Sequence, residues 1–406
     1  MEDLFPKNAD GKLLRQRTAH YLIEQMGFVV ANPTEFLGND RQLRYKLLQQ
    51  AKSLAVALEE PFETLQRLAF APLPLITTRI AQERGIFATI AQASGPVSFD
   101  DLQKISGLGT SVLASIMNYL CTQETAEEPA QGLYVASRLT PYMASPLFVD
   151  AVLHYHDSIL PSMAALNGVL RDPNEALISF NVGHGTDEGF YKWIESRPAL
   201  HGAFHRFMDA QFSGLPSWLA VIDPMSEFFL NLDSNEIAFV DVGGGNGQQA
   251  MALLNACPQL KGHVIVQDRP DVLAKSPFVS GIEKMAYDYL SEQPVKGARI
   301  YYFRQIMHNN DDATCLRILR SHVLAMGQKS VIVIDEKALP DYAPKGNPAT
   351  EYTAALSLLM KAVFNAQERH ERHWRELLNQ VGLIVRDIRR FTKFDDAAII
   401  VSKMTS

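Results

Sequence analysis

Cysteine, positive charge and long apolar runs are all scarce in this sequence. Its three cysteines, Cys121, Cys257 and Cys315, stand too far apart in 406 residues for a disulfide framework or a structural zinc site. A formal net charge of −7 argues against a surface built to hold nucleic acid or anionic lipid. No apolar run reaches the roughly 18 residues that span a bilayer, and the first residues contain no apolar segment of signal length. We therefore expect a cytoplasmic globular protein without a bound metal, whose partners are small molecules or its own copy.

The first part of the chain, residues 1–145, is predicted to be helical because its apolar residues recur at helical spacing. Leu13–Met26 and Leu47–Ala57 both show this spacing. Ser98 and Asp101 form a capping-box pattern, which predicts the start of a helix, and a second helix is predicted from Thr110.

These two helices, a loop at Thr125–Gly132 and a short strand at Leu133–Ala136 have the pattern of a winged-helix unit. A winged helix that reads DNA needs cationic side chains on its second helix. Residues Thr110–Leu120 contain no Lys or Arg. We therefore expect residues 1–145 to serve dimerisation or substrate capping rather than DNA binding.

The pattern changes along the rest of the chain. Residues 146–232 are again helical and rich in aromatic residues, so we expect a linker region that caps a substrate. Beyond residue 233, apolar runs alternate with helical stretches: Ile237–Val242, His263–Asp268, Arg299–Phe303, Ser330–Asp335, Leu383–Ile388 and Ala397–Ser402. Such strands indicate a mostly parallel sheet covered on both faces. The predicted fold class is α/β: a doubly wound, Rossmann-like sheet over residues 233–406, with an all-α, winged-helix-like N-terminal dimerisation domain.

A glycine-rich loop follows the first of these strands and leads into a helix predicted at Gln248–Asn255. Gly243, Gly245 and Gly247 let the backbone turn sharply and approach a ligand. A dinucleotide fingerprint that begins at Gly243 needs Gly or Ala at position 248, where Gln248 stands. A phosphate-binding P-loop is also excluded, because no Gly-Lys-Ser/Thr follows. A glycine-rich turn without a ligand is the other interpretation.

With Asp241 before it, this loop resembles the first motif of S-adenosylmethionine (SAM)-dependent methyltransferases. The chain from about residue 70 resembles plant- and fungal-type small-molecule O-methyltransferases, because Gln267–Val272 and Asp288–Pro294 are similar to two further segments of that family. The resemblance implies SAM as cofactor and a homodimer that shares its N-terminal helices. It implies cofactor contacts for Asp241, Gly243, Gly245, Asp268, Asp288, Tyr289 and Arg304.

His308 stands where this family has its general base, within a His-Asp-Trp-x-Asp motif. Here the usual Asp and Trp are replaced by Asn309 and Asn310. Glu336 and Glu368 match the two glutamates that orient the histidine in the family. An imidazole with a pKa of about 6.5 can take a proton from a phenol or an enol near neutral pH. A satisfied histidine at a strand end, and a solvated helix face for Glu368, are the alternative interpretations.

The resemblance also implies an acceptor pocket built partly from the helical middle of the chain. His154, His156, Phe204 and Met208 stand where the family builds this pocket, and Lys337 follows Glu336 near the crevice. These residues could equally be plain core residues and, for Lys337, an exposed loop lysine.

Three functions are compatible with these patterns. O-methylation of a hydroxyl on an aromatic or polyketide-type metabolite is the function that we expect. Some fungal relatives keep SAM binding but act as non-methylating pericyclases or dehydratases on polyketide–amino acid hybrids such as pyridones. The changed motif after His308, with Lys337, His154 and His156 as extra donors that polarise a carbonyl, favours this alternative. A regulator without catalysis rests only on the winged-helix-like pattern.

Overall fold

The structure is a computed structural model that describes residues 9–171, 177–212, 214–342 and 348–404. The chain divides into two compact units, Met1–Ala71 and Pro72–Ser406. Among the described residues, none of the helices is long and apolar enough to span a bilayer.

The first unit contains four helices: α1 (Ala9–Ala31), α2 (Pro33–Leu37), α3 (Arg41–Leu58) and α4 (Pro61–Ala69). Helix α3 begins where Asp40 caps it, because the Asp40 carboxylate accepts a hydrogen bond of 2.8 Å from the N–H of Leu43. The predicted helical spacing is thus confirmed. None of the side chains described in this unit is buried, so its apolar residues lie at the surface.

The second unit begins with five helices and a three-stranded antiparallel sheet of order β1-β3-β2. These are α5 (Leu73–Glu83), α6 (Ile86–Gln92), β1 (Val97–Ser98), α7 (Phe99–Ser106), α8 (Thr110–Thr122), β2 (Glu127–Ala130), β3 (Leu133–Val135) and α9 (Thr140–Met143). Ser98 caps α7 as predicted, since its hydroxyl accepts from the N–H of Asp101. Buried Phe87, Leu102 and Leu113 form part of the core of this region.

The expected loop at Thr125–Gly132 is wrong in part, because strand β2 lies within it. Its sequence, Glu-Glu-Pro-Ala, has little strand propensity, and all four residues are exposed. Pairing with β3 therefore makes this strand, rather than burial of its own side chains.

The middle of the chain is helical, as predicted. It contains α10 (Pro146–Leu153), α11 (Leu160–Val169), α12 (Ser179–His184), α13 (Phe190–Glu195), α14 (Pro198–Phe212), α15 (Pro224–Glu227) and a short 3-10 turn at Trp218–Ala220. Between α10 and α11 the chain forms one π-helical segment, His154–Ile159. Segments of this kind are rare and occur frequently at functional sites.

The last part of the chain forms the predicted mostly parallel sheet. Its strands are β4 (Phe239–Val242), β5 (Val264–Asp268), β6 (Ile282–Ala286), β7 (Ile300–Arg304), β8 (Val331–Leu339), β9 (Arg369–His370), β10 (Leu383–Arg390) and β11 (Asp396–Lys403). The order is β10-β11-β8-β7-β4-β5-β6, with β9 paired to β8. Strands β10 and β11 pair antiparallel and β11 is antiparallel to β8, whereas the other pairs are parallel.

Helices and apolar clusters cover both faces of this sheet. The helices are α16 (Gln248–Ala256), α17 (Pro270–Lys275), α18 (Asp312–Ala325), α19 (Pro348–Phe364) and α20 (Glu371–Asn379), with 3-10 turns at Pro258–Leu260 and Met307–Asn309. The strand order reverses between β4 and β7, which places a crevice at the carboxyl ends of these two strands. Ligands of open α/β sheets bind at such a switch point.

Candidate active site

A cavity of about 960 Å³ lies at this crevice. One wall consists of loops that follow β4, β5, β6 and β7, and the other consists of α13, α14, α19 and the π-helical segment. A cavity of this size, apolar with a few convergent polar groups, is typical of a site for a small molecule and its cofactor.

The glycine loop after β4 has a backbone conformation at Gly243 that favours glycine. Its φ is +69°, and a Cβ there would lie 2.5 Å from Cδ1 of Ile306. Gly245 has a φ of +55°, and its N–H donates a hydrogen bond of 2.8 Å to Oδ2 of Asp268. The ends of β4 and β5 are thus tied together, and backbone rather than side chain faces the cavity at Gly243.

Asp241 lies beneath this loop and is not among the residues that line the cavity. A Cβ on Gly244 would lie 2.6 Å from Cγ of Asp241, so the loop packs directly on this carboxyl group. Burial raises the pKa of Asp241 to about 7. Within the described part of the chain, its Oδ2 has no hydrogen-bond partner. Asp241 therefore lies under the glycine loop and not at the cavity surface. The predicted contact with a cofactor would require Oδ2 of Asp241 to reach past this loop.

Three of the other predicted cofactor residues face the cavity from neighbouring loops. Asp268, at the end of β5, accepts from the N–H groups of Gly245 and Arg269. Burial raises the pKa of Asp268, and these two N–H donors oppose that shift. Asp288 and Tyr289 follow β6 on the same side of the cavity. Two carboxylates at adjacent strand ends form a site for a ligand that carries hydroxyl groups.

Arg304 closes the same wall at the end of β7. Its Nη1 donates a 2.8 Å hydrogen bond to Oδ2 of Asp335, whose carboxylate also accepts from the hydroxyl of Tyr302. Burial would lower the pKa of Arg304, but the Asp335 carboxylate raises it above its ordinary value. Arg304 is therefore a fixed cation on the cavity wall, as the resemblance implies.

His308 lies on the cavity wall in the short 3-10 turn after β7. Its Nδ1 lies 2.7 Å from Oε1 of Glu368, a buried carboxylate. Burial alone would lower the pKa of His308, but the Glu368 carboxylate raises it above its ordinary value. The predicted pairing of His308 with Glu368 is present, and the solvated helix face for Glu368 is wrong because β9 carries this residue's neighbour into the sheet.

Glu336 supports His308 indirectly. Its Oε1 accepts a 2.5 Å hydrogen bond from the N–H of Met307, the residue before His308, and not from the imidazole. Burial raises the pKa of Glu336 to about 7. In the described part of the chain its Oε2 has no hydrogen-bond partner. The geometry thus assigns Glu336 to the backbone of the turn, whereas a direct contact with the ring was expected.

The replaced motif residues also act on the backbone. Nδ2 of Asn309 donates to the carbonyl of Gln305, and Nδ2 of Asn310 donates to the carbonyl of Ile306. Both amides therefore close the turn that carries His308, although they differ from the family's usual Asp and Trp.

Among the predicted acceptor residues, His154 is the most distinctive. It lies in the π-helical segment, is 5% exposed and faces the cavity. Rings of Tyr155, Phe190, Phe204 and Phe207 surround it at centroid distances of 5.3–6.2 Å. Burial lowers the pKa of His154 to about 4, so the imidazole is neutral near pH 7. Its Nδ1 has no hydrogen-bond partner among the described residues.

The other predicted acceptor residues divide into two groups. Phe204 and Met208 line the cavity from α14. His156 is not among the lining residues, and its Nδ1 lies 2.5 Å from Oδ1 of Asp157, so the structure does not bring it to the cavity. The helical turn directs it away because the chain rotates between His154 and His156.

Lys337 lines the cavity from within strand β8, so an exposed loop lysine is wrong. Its Nζ donates to Oδ1 of Asp396 at 2.6 Å and to the carbonyl of Phe394 at 2.9 Å. Two of the three N–H donors of this ammonium are thus used within the protein, which leaves one for a substrate.

Two functional features were not predicted from the sequence. Helix α19 lines the cavity through Leu356, Leu359, Met360 and Val363, whose helical spacing is visible in the sequence and could have indicated this wall. The second feature is Arg369, which directly follows Glu368 in the sequence and was not among the predicted site residues. It is fully buried and donates to the backbone of the turn that carries His308.

Comparison with known proteins identifies the family. A family model described as an O-methyltransferase domain matches residues 174–384, slightly more than half of the chain. The chain belongs to the O-methyltransferase family. The sequence resemblance to these enzymes is thereby confirmed.

Among its relatives in this family is O-methyltransferase ucdC of Aspergillus ustus. It is 29% identical over 351 residues, which cover 85% of this chain and 90% of that protein. Two solved structures share the fold, each with a TM-score of 0.80 at 24% identity, and each comparison covers 95% of this chain and 100% of the other. One is described as a pericyclic reaction enzyme and the other as LepI in complex with SAM. Among the described residues of this family member, no three His, Cys, Asp or Glu side chains are grouped to hold a metal ion.

Proposed function

We propose that the protein transfers a methyl group from SAM to a hydroxyl of an aromatic or polyketide-type metabolite, with His308 as general base. The observation that carries this proposal is the 2.7 Å contact between Nδ1 of His308 and buried Glu368. It occupies one ring nitrogen and leaves Nε2 for a substrate proton, on a residue that lines the cavity.

The residues of the strand-end wall fit SAM. Gly243 has no side chain, and a Cβ there would contact Ile306 too closely. The exposed backbone at Gly243 therefore allows close approach by the methionine tail of SAM. The carboxylates of Asp268 and Asp288 can accept from ribose hydroxyls, and Tyr289 and Arg304 stand beside them. When bound, SAM supplies an electrophilic methyl group, and a solved structure of the same fold is described as a complex with SAM.

The opposite wall supports a flat, largely apolar acceptor. Phe190, Phe204, Leu359 and Met360 offer apolar surface from α13, α14 and α19. A hydroxyl held between this wall and His308 would lie in a water-poor space, where positioning supplies much of the rate.

A second candidate is a non-methylating pericyclase or dehydratase on a substrate such as a pyridone. Its support is the neutral His154, which can donate to a carbonyl, and the likeness in fold to a protein described as a pericyclic reaction enzyme. The intact His308–Glu368 pair favours methylation over a pericyclic reaction, because a pericyclic step needs no base of this kind.

Isotopically labelled SAM offered with phenolic, enolic and pyridone-type acceptors separates the two functions. Formation of S-adenosylhomocysteine with labelled product supports methylation. Isomeric or dehydrated products without consumption of SAM would contradict it and favour the second candidate.

We further propose a homodimer formed through residues 1–145, with residues 146–232 capping the substrate and residues 233–406 binding SAM. Support comes from helices α1, α3 and α4, whose Val30, Leu58 and Phe62 are 78%, 70% and 66% exposed. Apolar surface of this extent is typical of an interaction site. A single monomeric species in sedimentation at micromolar concentration would contradict the proposed homodimer.

We also propose a cytoplasmic location, because the three cysteines are free.

A further inference from the structure

We propose that Arg369, together with Asp312, is a positioning residue that fixes the turn Met307–Asn310 and so holds His308 against Glu368. The proposal rests on the proposed role of His308 as general base.

Arg369 is fully buried and contacts both ends of this turn. Its Nη1 donates to the carbonyl of Met307 and its Nη2 to the carbonyl of Asn310, each at 2.9 Å. Its Nε and Nη2 donate to Oδ1 of Asp312 at 3.0 and 2.8 Å. His308 lies between the two carbonyls, so one guanidinium determines where its backbone lies.

The guanidinium lies on the two-residue strand β9, and the carboxylate of Glu368 comes directly before that strand. Arg369 pairs with Ala338 of β8, and Glu368 directly precedes it. Met307 is consequently held from two sides, because its N–H donates to Glu336 and its carbonyl accepts from Arg369. A shift of β9 relative to the turn would separate His308 from Glu368.

Only arginine can make this set of contacts. A guanidinium has five N–H donors in a fixed plane, whereas a lysine ammonium is a point charge that cannot reach both carbonyls and Asp312 together. Asp312 keeps the fork oriented, and its other oxygen, Oδ2, lies 2.7 Å from Nε2 of His373. The charge of Arg369 also offsets the buried carboxylates of Glu336 and Glu368, which with Arg369 are the charged groups around His308.

Arg369→Lys tests the proposal because it keeps the charge and removes the fork. We expect kcat for methyl transfer to fall about 10- to 100-fold per folded molecule, with little change in the KM for SAM. The ascending limb of the pH profile should move to lower pH, because a loosened Glu368 contact raises the pKa of His308 less.

Arg299→Lys is the matched control. Arg299 is also buried and donates to a carboxylate, Glu236, and to the carbonyls of Phe228 and Asn231, away from the cavity. It should lose thermal stability without a change in the pH profile. An Arg369→Lys protein whose kcat and pH profile match those of Arg299→Lys would overturn the proposal and leave Arg369 a structural role.

A second readout does not depend on methyl transfer. In ¹⁵N-histidine NMR of the full chain, the His308 signal is the one absent from His308→Gln, and it should titrate at lower pH in Arg369→Lys than in the wild type. An unchanged titration would overturn the proposal even if the reaction proved to be a different one. If Arg369→Lys does not fold, Asp312→Asn takes its place with the same expected direction, because the side chain of Asp312 is 41% exposed whereas that of Arg369 is fully buried.

Discussion

His308 and His154 both face the cavity, and their surroundings shift their pKa values in opposite directions. Around His308, the Glu368 carboxylate outweighs burial and raises the pKa. Around His154, burial among aromatic rings lowers the pKa to about 4. The carboxylate beside His308 therefore stabilises a charged imidazole, whereas the aromatic rings around His154 disfavour one.

This difference divides the work of the site between the two walls. A base that becomes protonated during a reaction needs a nearby carboxylate, and of these two histidines His308 has one, in Glu368. Around His154 the helical wall offers apolar surface and a neutral imidazole. Substitutions on the two walls should accordingly affect different measured quantities.

The largest expected effect is that of His308→Ala. Loss of a general base should lower kcat for methyl transfer by roughly 10²–10⁴, with SAM affinity little changed. Formation of S-adenosylhomocysteine over time measures it. His370→Ala, an exposed histidine close by on β9, is the control and should retain the wild-type rate. If the two variants were equally active, proton transfer would not belong to the strand-end wall.

Glu368→Gln should have a smaller effect, about 10- to 100-fold on kcat, and should move the pH profile. Removal of the carboxylate lowers the pKa of His308, because burial then acts without its main opponent. A base is active in its neutral form, so the ascending limb of the profile should shift to lower pH. A pH series of initial rates tests this, and an unshifted limb would show that Glu368 does not set the protonation of His308.

Much of the fold was predictable from the sequence because its central strands are buried on both faces. The apolar run Ile237–Val242 contains β4, and Ser330–Asp335 matches the first part of β8, which continues to Leu339. Strand β6, Ile282-Glu-Lys-Met-Ala286, was missed because it lies at the sheet edge, where exposed Glu283 and Lys284 interrupt the apolar pattern. Edge strands are formed by pairing with a neighbour, and single-sequence patterns do not record pairing.

The residues of the candidate site were predictable from the sequence where a family motif marks them. They were less predictable where their role depends on hydrogen bonds to distant parts of the chain. The resemblance led to His308 and Glu368, which the structure brings together. Lys337 has two partners, Asp396 and Phe394, that lie about 60 residues further along the chain. Arg369 likewise contacts residues about 60 positions earlier. Such long-range hydrogen bonds have no signature in local spacing.

Gly243→Ala tests whether the glycine loop of the strand-end wall contributes to cofactor binding. The new Cβ would stand 2.5 Å from Cδ1 of Ile306 and would require a left-handed backbone, so the Ile306 side chain or the loop must shift. We expect the Kd for SAM, measured by calorimetry, to rise about tenfold. Gly262→Ala shares the positive φ, +85°, but meets no described atom within 4 Å, and it should lower stability without changing that Kd. Equal Kd values in both variants would remove the glycine loop from the cofactor site.

The smallest effect is expected on the helical wall, from His154→Phe. The folded-state pKa of His154, about 4, lies below the unfolded value of 6.5, so the unfolded chain binds more protons between these limits. Stability is therefore unaffected by this group above pH 6.5 and is lost as the pH falls towards 4, by about 2 kcal/mol at pH 5. His154→Phe should remove that loss, which urea unfolding at pH 7 and pH 5 would show.

Buried His322 has a similarly lowered pKa of about 4, so some acid sensitivity remains in the variant. A variant that loses as much stability as the wild type between pH 7 and pH 5 would mean that the folded protein already holds a proton on His154 at pH 5. The surroundings of His154 and His308 would then no longer differ in the charge that they tolerate.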